Sequence, residues 1–234
     1  MKTLGMFVRH PEPGTVKTRL AAAIGDQRAA ELYACFVRDL IGRVGPLADQ
    51  LWTAVTPDSP ECRDWYQTLP IDHDSDQFRM RVQPEGNLGN RIDSYFQQVA
   101  AETPGPAVLI GSDSPDLPSS LITRAFEVLL SHDADVVLVP STDGGYVLIG
   151  MNGDPQGVFD EVRWSSPFTM LDTVAAAEMA GMKVSVLPPW YDVDNIEELG
   201  TLAALQRNRG NSMAAHCPET AQWLAAVFIS LEQG

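Results

Sequence analysis

One short stretch constrains the fold most, because an apolar run stops abruptly at an acidic turn and a helical pattern comes next. Residues 108–111 (Val-Leu-Ile-Gly) are apolar or small, the polarity changes before Asp113, and Pro118 ends the turn. The apolar positions after it keep helical spacing: Leu121, Ile122, Ala125, Val128 and Leu129. The stretch therefore predicts a buried strand, a tight turn and a helix. Ligands of open α/β sheets bind beyond the carboxyl ends of the strands, so Asp113 is placed to hold a divalent cation. The alternative is that Asp113 or Asp116 caps the helix.

Strand-like and helix-like segments alternate along the rest of the chain. Predicted strands cover 3–8, 51–55, 78–82, 135–139, 146–150 and 183–187. Predicted helices cover 27–44, 62–69, 88–99, 167–181, 194–205 and 217–231. This alternation predicts an α/β fold with a three-layer α/β/α architecture around a mainly parallel sheet. No linker or repeat interrupts it, so residues 1–234 are predicted to form a single domain with the helix at 217–231 appended.

Two local signals refine this prediction. Asp143-Gly144-Gly145 lies between two apolar runs, which predicts a hairpin and hence one antiparallel insertion in the sheet. Ser166 is predicted to be an N-cap, with Pro167 at the first helical position.

The balance of charges limits the classes of partner. The chain has 31 Asp and Glu against 16 Lys and Arg, and its formal net charge is −15. A nucleic-acid groove would need a basic face, so no nucleic-acid partner is expected. A single nucleotide is not excluded, because a few well-placed cations can bind a triphosphate. Three cysteines without metal spacing, and the lack of a leader or a membrane-spanning run, predict a cytoplasmic location and no membrane partner. The oligomeric state is left open.

The loop after the first strand gathers three of the scarce cations. It covers residues 9–20, and Pro13 and Gly14 are among the residues that prevent a helix at its start. Lys17 and Arg19 come later in the same loop. A strand that leads into such a loop is a candidate phosphate cradle, in which backbone N–H groups and the next helix would add donors. The loop matches neither a Walker A nor a Rossmann fingerprint, and the alternative is a solvated basic turn.

Two other turns contain glycines that would let a ligand approach the backbone. Gln83 and Gly86 come after the third predicted strand, and Gly144 and Gly145 come after Asp143, beyond the fifth. We expect Gly144 and Gly145 either to take positive φ or to lie against a ligand, because many hairpins need only one such glycine. A turn without a ligand remains the alternative at both places.

A second pair of carboxylates lies after the last predicted strand. Asp113 and Asp194 both come after short apolar strands, so their side chains should emerge at the same edge of a parallel sheet. Neither has a Lys or Arg within a few positions, so a cation would be needed to offset their repulsion. We therefore expect both to bind one Mg²⁺. Asp192 would replace Asp194 if Asp194 forms a capping box with Glu197.

Taken together, five motifs resemble those of a known bacterial family. They are Pro11–Leu20, Gly111–Leu117, Asp143–Gly150, Trp164-Ser165 and Asp192-Val-Asp194. The chain resembles the glycosyltransferase-A-like transferases that are also described as radical-SAM/selenodomain-associated. The resemblance covers nearly the whole chain and ends near the helix after Asp194. It departs at Arg9-His10, where the family more usually has a Lys and a small residue.

The resemblance implies a nucleotide-diphospho-sugar transferase fold, shared with molybdopterin and phospholactate guanylyltransferases. It implies that Lys17 faces the phosphates, that Asp113 and Asp194 hold Mg²⁺ or Mn²⁺, and that Gln83 and Gly86 lie at the nucleobase.

The function predicted from these features is Mg²⁺-dependent nucleotidyl transfer from an NTP to a phosphorylated small-molecule acceptor, with release of pyrophosphate. This chemistry needs positioning and charge neutralisation rather than a nucleophile. The predicted catalytic residues are Lys17, Arg19 and Asp113. The predicted nucleotide-binding residues are Pro13, Gly14, Lys17, Gln83, Gly86, Ser112, Asp143, Gly144 and Gly145. The alternatives are a glycosyltransferase with a nucleotide-sugar donor and a non-catalytic nucleotide-binding protein of the same fold.

Overall fold

A computed structural model of the chain describes residues 1–209 and 216–228. Within these residues, seven strands form one sheet in the order β3-β2-β1-β4-β6-β5-β7. The strands are β1 (Thr3–Arg9), β2 (Gln50–Thr56), β3 (Phe78–Val82), β4 (Pro106–Ile110), β5 (Val136–Pro140), β6 (Tyr146–Asn152) and β7 (Val184–Val186). Neighbouring strands pair in parallel except β6, which is antiparallel to both β4 and β5. The predicted mainly parallel sheet with one antiparallel insertion is therefore confirmed.

Helices cover both faces of this sheet. They are α1 (Thr18–Ile24), α2 (Asp26–Val44), α3 (Pro60–Tyr66), α4 (Leu88–Glu102), α5 (Ser119–Leu130), α6 (Thr169–Met179), α7 (Ile196–Arg209) and α8 (Pro218–Trp223). One core packs Leu4 and Met6 of β1 against α2 and α5, and the other packs Trp52 of β2 and Ile149 of β6 against α4. The three-layer α/β/α prediction is confirmed. Within the described ranges, no helix is long and apolar enough to cross a membrane.

Two predicted helix starts are wrong, because in neither case does the predicted side chain cap the helix. Helix α6 begins at Thr169 rather than Pro167, because the Ser166 hydroxyl accepts from the Phe168 N–H within a turn that precedes the helix. Asp194 and Glu197 do not form a capping box. Instead, the Asn195 side chain accepts from the Glu198 N–H and the Glu198 carboxylate accepts from the Asn195 N–H. The Asp194 carboxylate is therefore not used as a cap.

The alternative role of Asp113 or Asp116 as a cap of α5 is also not observed. Helix α5 begins directly after Pro118 and no side chain caps it. Asp116 instead accepts hydrogen bonds from the indole N–H of Trp190 at 3.2 Å and from the hydroxyl of Tyr191 at 2.8 Å. Asp116 thus fastens the turn after β4 to the segment after β7, whereas Asp113 is directed elsewhere.

The C-terminal helix is attached to α2 through a buried carboxylate. Its α-helical part is α8, a π-helical turn (Leu224–Phe228) continues it, and residues 229–231 of the predicted helix lie outside the described residues. Asp39 of α2 is 5% exposed and accepts the backbone N–H groups of Glu219 and Thr220 at 3.0 and 2.8 Å. These are two of the N–H groups that the first turn of any helix leaves unpaired.

We therefore expect Asp39→Ala to lower the free energy of unfolding by about 1–3 kcal/mol, because two buried donors lose their acceptor. Hydrogen exchange should become faster in residues 218–224 than elsewhere. Asp39→Asn keeps one side-chain acceptor and should cost less. Uniform loss of protection along the whole chain, without a larger effect in α8, would contradict this role.

Candidate functional site

Lys17 lies at the end of the loop after β1 and marks the start of α1. Its backbone is left-handed, with φ 49° and ψ 43°. Its ammonium group forms ion pairs with the carboxylates of Asp113 and Asp194, the latter at 2.8 Å. Its side chain is only 3% exposed, whereas those of Asp113 and Asp194 are 44% and 40% exposed. The structure thus brings together three predicted site residues, two of which are 177 positions apart.

This arrangement corrects two expectations. The alternative of a solvated basic turn does not hold for Lys17, because its side chain is buried. Asp113 and Asp194 have no basic residue near them in the sequence, as expected. In the structure, however, Lys17 is their basic neighbour. Burial alone would lower the pKa of Lys17, but the charges of Asp113 and Asp194 outweigh it, so that the pKa is raised and the lysine is charged.

Aromatic rings of α2 form the wall behind Lys17. The Lys17 ammonium lies 6.0 Å from the ring centre of Tyr33 and 5.8 Å from that of Phe36, within the range of cation–π attraction. The Tyr33 hydroxyl is 2.6 Å from the hydroxyl of Ser112 and accepts the Arg9 N–H at 3.0 Å. Tyr33 therefore ties α2 to the ends of β1 and β4. Neither Tyr33 nor Phe36 was a predicted site residue, because both lie on a helix whose sequence pattern indicates only an apolar face.

The segment after β7 is held against the end of β4. The Val193 N–H donates to the Asp113 carbonyl at 2.9 Å, and the Ser114 hydroxyl donates to Asp192 at 2.8 Å. Burial, together with the nearby charge of Asp113, raises the pKa of Asp192 to about 7 despite the Ser114 hydrogen bond. Asp192 thus accepts a hydrogen bond from Ser114, while Asp113 and Asp194 face Lys17.

Three cavities meet at these acidic residues. A cavity of about 260 Å³ is lined by Arg9, Lys17 and Arg19, together with Asp113 and Asp194. A second, of about 240 Å³, has a more apolar lining and also reaches Asp113 and Asp194. The largest, of about 430 Å³, shares Arg19 and Asp194 with the first. Arg19 is exposed and lies between the first and the largest cavity, and no ion pair involving it is found in the described part of the chain.

The Asp143-Gly-Gly turn forms one wall of the largest cavity. Gly144 has φ 91°, and a Cβ added there would lie 2.3 Å from the Pro167 carbonyl oxygen, so a side chain is excluded. Gly145 does not have a left-handed φ, but it lines the cavity. Partial burial would raise the pKa of Asp143, but hydrogen bonds from the Ser141 hydroxyl and the Gly145 N–H outweigh it and lower that pKa. Asp143 is therefore ionised.

The remaining predicted nucleotide-binding residues are not all gathered here. Gln83 and Gly86 line none of the three cavities. The Gln83 amide donates to the carbonyl oxygens of Val8 and Ala54 at 3.2 and 2.7 Å, which joins the ends of β1 and β2. Pro13 and Gly14 are exposed in the loop before Lys17. The structure thus brings Lys17, Arg19, Ser112, Asp113, Asp143, Gly145, Asp192 and Asp194 to the cavities. The predicted residues that line none of the three are Pro13, Gly14, Gln83, Gly86 and Gly144.

Asp113 and Asp194 present two carboxylates to one shared cation. Among the residues that the structure describes, no group of three His, Cys, Asp or Glu side chains is arranged to hold a metal. Mg²⁺ is commonly held by one or two carboxylates, with water and phosphate oxygens completing its shell. Asp113 and Asp194 already share one cation, the Lys17 ammonium. Their positions therefore fit such a two-carboxylate site.

The chain has the nucleotide-diphospho-sugar transferase fold. A structure named as a candidate nucleotide-diphospho-sugar transferase from Desulfovibrio desulfuricans G20 has a TM-score of 0.88 and 30% identity, over 99% of this chain and 97% of that one. A 4-diphosphocytidyl-2C-methyl-D-erythritol synthase has a TM-score of 0.55 and 10% identity, over 86% and 95% of the two chains. The inositol-1-phosphate CTP transferase of T. maritima has a TM-score of 0.52 and 15% identity, over 97% of each.

The last two similarities concern the fold alone. The neighbour at 30% identity is named as a candidate nucleotide-diphospho-sugar transferase, which agrees with the predicted enzyme class. The chain belongs to the family DUF2064, described as an uncharacterized protein conserved in bacteria, whose sequence profile matches residues 46–166. No curated protein sequence matches the chain significantly.

Proposed function

We propose that the protein is a Mg²⁺-dependent nucleotidyltransferase that transfers a nucleotidyl group from an NTP to a phosphorylated small molecule. The observation that supports this proposal most is the contact of Lys17 with Asp113 and Asp194. These residues lie between two cavities, a smaller one lined by three cations and a larger one whose charged residues are mainly acidic. A triphosphate needs the positive charges of the smaller cavity. An acceptor needs a separate cavity beside it, which the larger one provides. The names of the structural neighbours, which include CTP transferases, support the same class of substrate.

In the proposed reaction, a phosphate oxygen of the acceptor attacks the α-phosphorus of the NTP, and the bond from that phosphorus to the bridging oxygen of pyrophosphate breaks. The bound magnesium ion would supply charge neutralisation on the phosphates. Arg9, Lys17 and Arg19 would donate to phosphate oxygens, and Arg19 would reach both substrates because it lines both cavities. The more apolar cavity beside Asp113 offers space for a flat base.

Screening four NTPs and a set of nucleotide sugars for Mg²⁺-dependent thermal shifts tests the substrate class. Pyrophosphate release in the presence of phosphorylated acceptors then tests the reaction. Mg²⁺-dependent cleavage of a nucleotide sugar without pyrophosphate release would favour glycosyl transfer instead. Binding of a nucleotide without turnover of any acceptor would favour a binding protein.

Arg19 offers a matched pair of variants. Arg19→Met should weaken binding of the preferred NTP about tenfold, or about 1.4 kcal/mol, because a charge-assisted contact with phosphate is lost. Arg28→Met removes another exposed arginine, on α2, that lines none of the three cavities, and should leave the affinity unchanged. Equal affinities for both variants and the native chain, measured by calorimetry, would remove Arg19 from the phosphate site.

A further inference from the structure

The largest cavity has walls from two segments that the proposed chemistry does not use. One is the Asp143-Gly144-Gly145 turn, and the other runs from Trp164 to Pro167. The two are joined, because the Met170 N–H donates to the Gly144 carbonyl at 2.9 Å. The second is also anchored by Arg163, whose guanidinium donates twice to Asp172 at 2.7 Å. Hydrogen bonds thus hold the two segments that line this cavity to each other and to α6.

One wall residue has a strained backbone. Ser165 has φ 56°, a left-handed conformation that is uncommon for residues other than glycine. It is exposed, and its hydroxyl has no hydrogen-bond partner among the described residues. Such strain persists where surrounding contacts enforce it, and it often marks a ligand site. The hydroxyl is therefore available to a molecule in the cavity.

An aromatic ring and a carboxylate line the same space. Trp164 is half-buried and packs on α4 so closely that a Cβ at Gly89 would lie 2.4 Å from its Nε1. Asp143 accepts the hydrogen bonds from Ser141 and Gly145 through Oδ1, so that no other described residue donates to Oδ2. An indole face packs well against the C–H groups of a saturated ring, and a carboxylate oxygen accepts from hydroxyl groups.

The charges of the lining disfavour an anionic ligand in most of this cavity. Of the described residues that line it, Arg19 is the one cation, and Asp143 is a carboxylate without an ion pair. Asp194 is paired with Lys17, and Asp192, whose pKa is raised to about 7, is only partly charged near neutral pH. A ligand with several negative groups would be repelled except at the edge where Arg19 lies. A neutral, hydroxyl-rich ring would meet no such repulsion, and a cavity of about 430 Å³ has room for it.

We infer that this cavity binds the acceptor, and that the acceptor is a polyhydroxylated ring, either a pyranose or a cyclic polyol, whose phosphate lies at the Arg19 edge. The inference rests on the proposed function in assigning the neighbouring cation-lined cavity to the nucleotide. It deepens that function by naming the chemical class of the acceptor.

The test measures calorimetric binding of two ring phosphates, glucose 1-phosphate and myo-inositol 1-phosphate, and two open-chain phosphates, glycerol 3-phosphate and 3-phosphoglycerate. We expect at least one ring compound to bind tenfold or more tightly than both open-chain compounds. The comparison of the two rings distinguishes a sugar from a cyclic polyol. Mg²⁺-NTP binding is measured on the same preparations.

Trp164→Ala should abolish the preference for rings and leave NTP affinity within twofold. Trp65→Ala, which removes a tryptophan that lines none of the three cavities, should change neither. Gly89→Ala provides a second variant if Trp164→Ala does not fold, because its methyl group displaces the indole from α4. It too should lose the preference.

The outcomes separate the two proposals. NTP binding together with equal affinity for ring and open-chain phosphates would overturn the acceptor inference and leave the proposed function intact. Trp164-dependent ring binding without NTP binding would support the cavity's ligand class and refute the nucleotidyltransferase. Failure of every phosphate to bind at millimolar concentration, or a ring preference that survives Trp164→Ala and Gly89→Ala, would also overturn the inference.

Discussion

Replacing Lys17 by Met should destabilise the protein, and Mg²⁺ should restore the stability more effectively than in the native chain. The ammonium group is the cation that separates Asp113 from Asp194, and its side chain is 3% exposed. Removing one partner of a fully buried ion pair costs about 3–5 kcal/mol. The two carboxylates are about two-fifths exposed, so solvent screens their repulsion and we expect about 1–3 kcal/mol. For a chain of this size this corresponds to a fall in Tm of about 2–12 °C.

The metal response is the more specific part of this prediction. In the native chain Mg²⁺ would have to displace the Lys17 ammonium from Asp113 and Asp194, whereas in Lys17→Met both carboxylates are free. We therefore expect Mg²⁺ alone to bind at least tenfold more tightly to the variant. A concentration of about ten times its dissociation constant then adds about 1.4 kcal/mol of stability. Nucleotide affinity should fall in the same variant, because a phosphate donor is lost.

Lys183→Met is the matched control, since Lys183 is exposed and is absent from the described lining of the three cavities. Its Tm and its response to Mg²⁺ should equal those of the native chain. Thermal unfolding with and without chelator measures both effects. An unchanged Tm for Lys17→Met, together with a native response to Mg²⁺, would show that these three side chains do not form a charge-balanced centre.

Asp113→Asn should lower activity and Asp116→Asn should lower stability, although the two residues are close neighbours in the chain. Asp113→Asn removes a carboxylate that faces Lys17 and the cavities, and we expect transferase activity to fall by a factor of about 10²–10³. This is the loss typical of a single electrostatic group that stabilises a transition state. The Mg²⁺-dependent thermal shift should be lost with it.

Asp116→Asn instead removes charge from a side chain that holds Trp190 and Tyr191. The free energy of unfolding should fall by about 1–3 kcal/mol, because hydrogen bonds to a charged group are replaced by weaker ones. Activity and the Mg²⁺ response should persist. Steady-state pyrophosphate release and thermal unfolding of the two variants give the comparison. A loss of activity in Asp116→Asn as large as in Asp113→Asn would mean that the turn as a whole, and not the Asp113 carboxylate, is required.

Local patterns in the sequence determined the layers, the parallel sheet and the edge at which the site lies. The apolar run before Asp113 and the Pro- and Gly-containing loop before Lys17 are short-range signals. Parallel strands bring the residues beyond their carboxyl ends to one edge of the sheet. Such signals act over a few residues, which is why Lys17, Asp113 and Asp194 could be chosen one by one.

The partners of those residues were decided only by the tertiary structure. Lys17 and Asp194 are 177 positions apart, and they meet because β1 lies beside β4 and the Val193 N–H holds the segment after β7 against Asp113. The same packing places the rings of Tyr33 and Phe36 behind Lys17. The spacing of apolar residues in the sequence indicates only that α2 has an apolar face. The N-cap of α7 shows that local sequence patterns can also leave a choice open. Asp194 and Asn195 are adjacent, and both residue types are good N-caps. Asn195 takes the role, and the carboxylate of Asp194 is used instead to pair with a lysine from the other end of the chain.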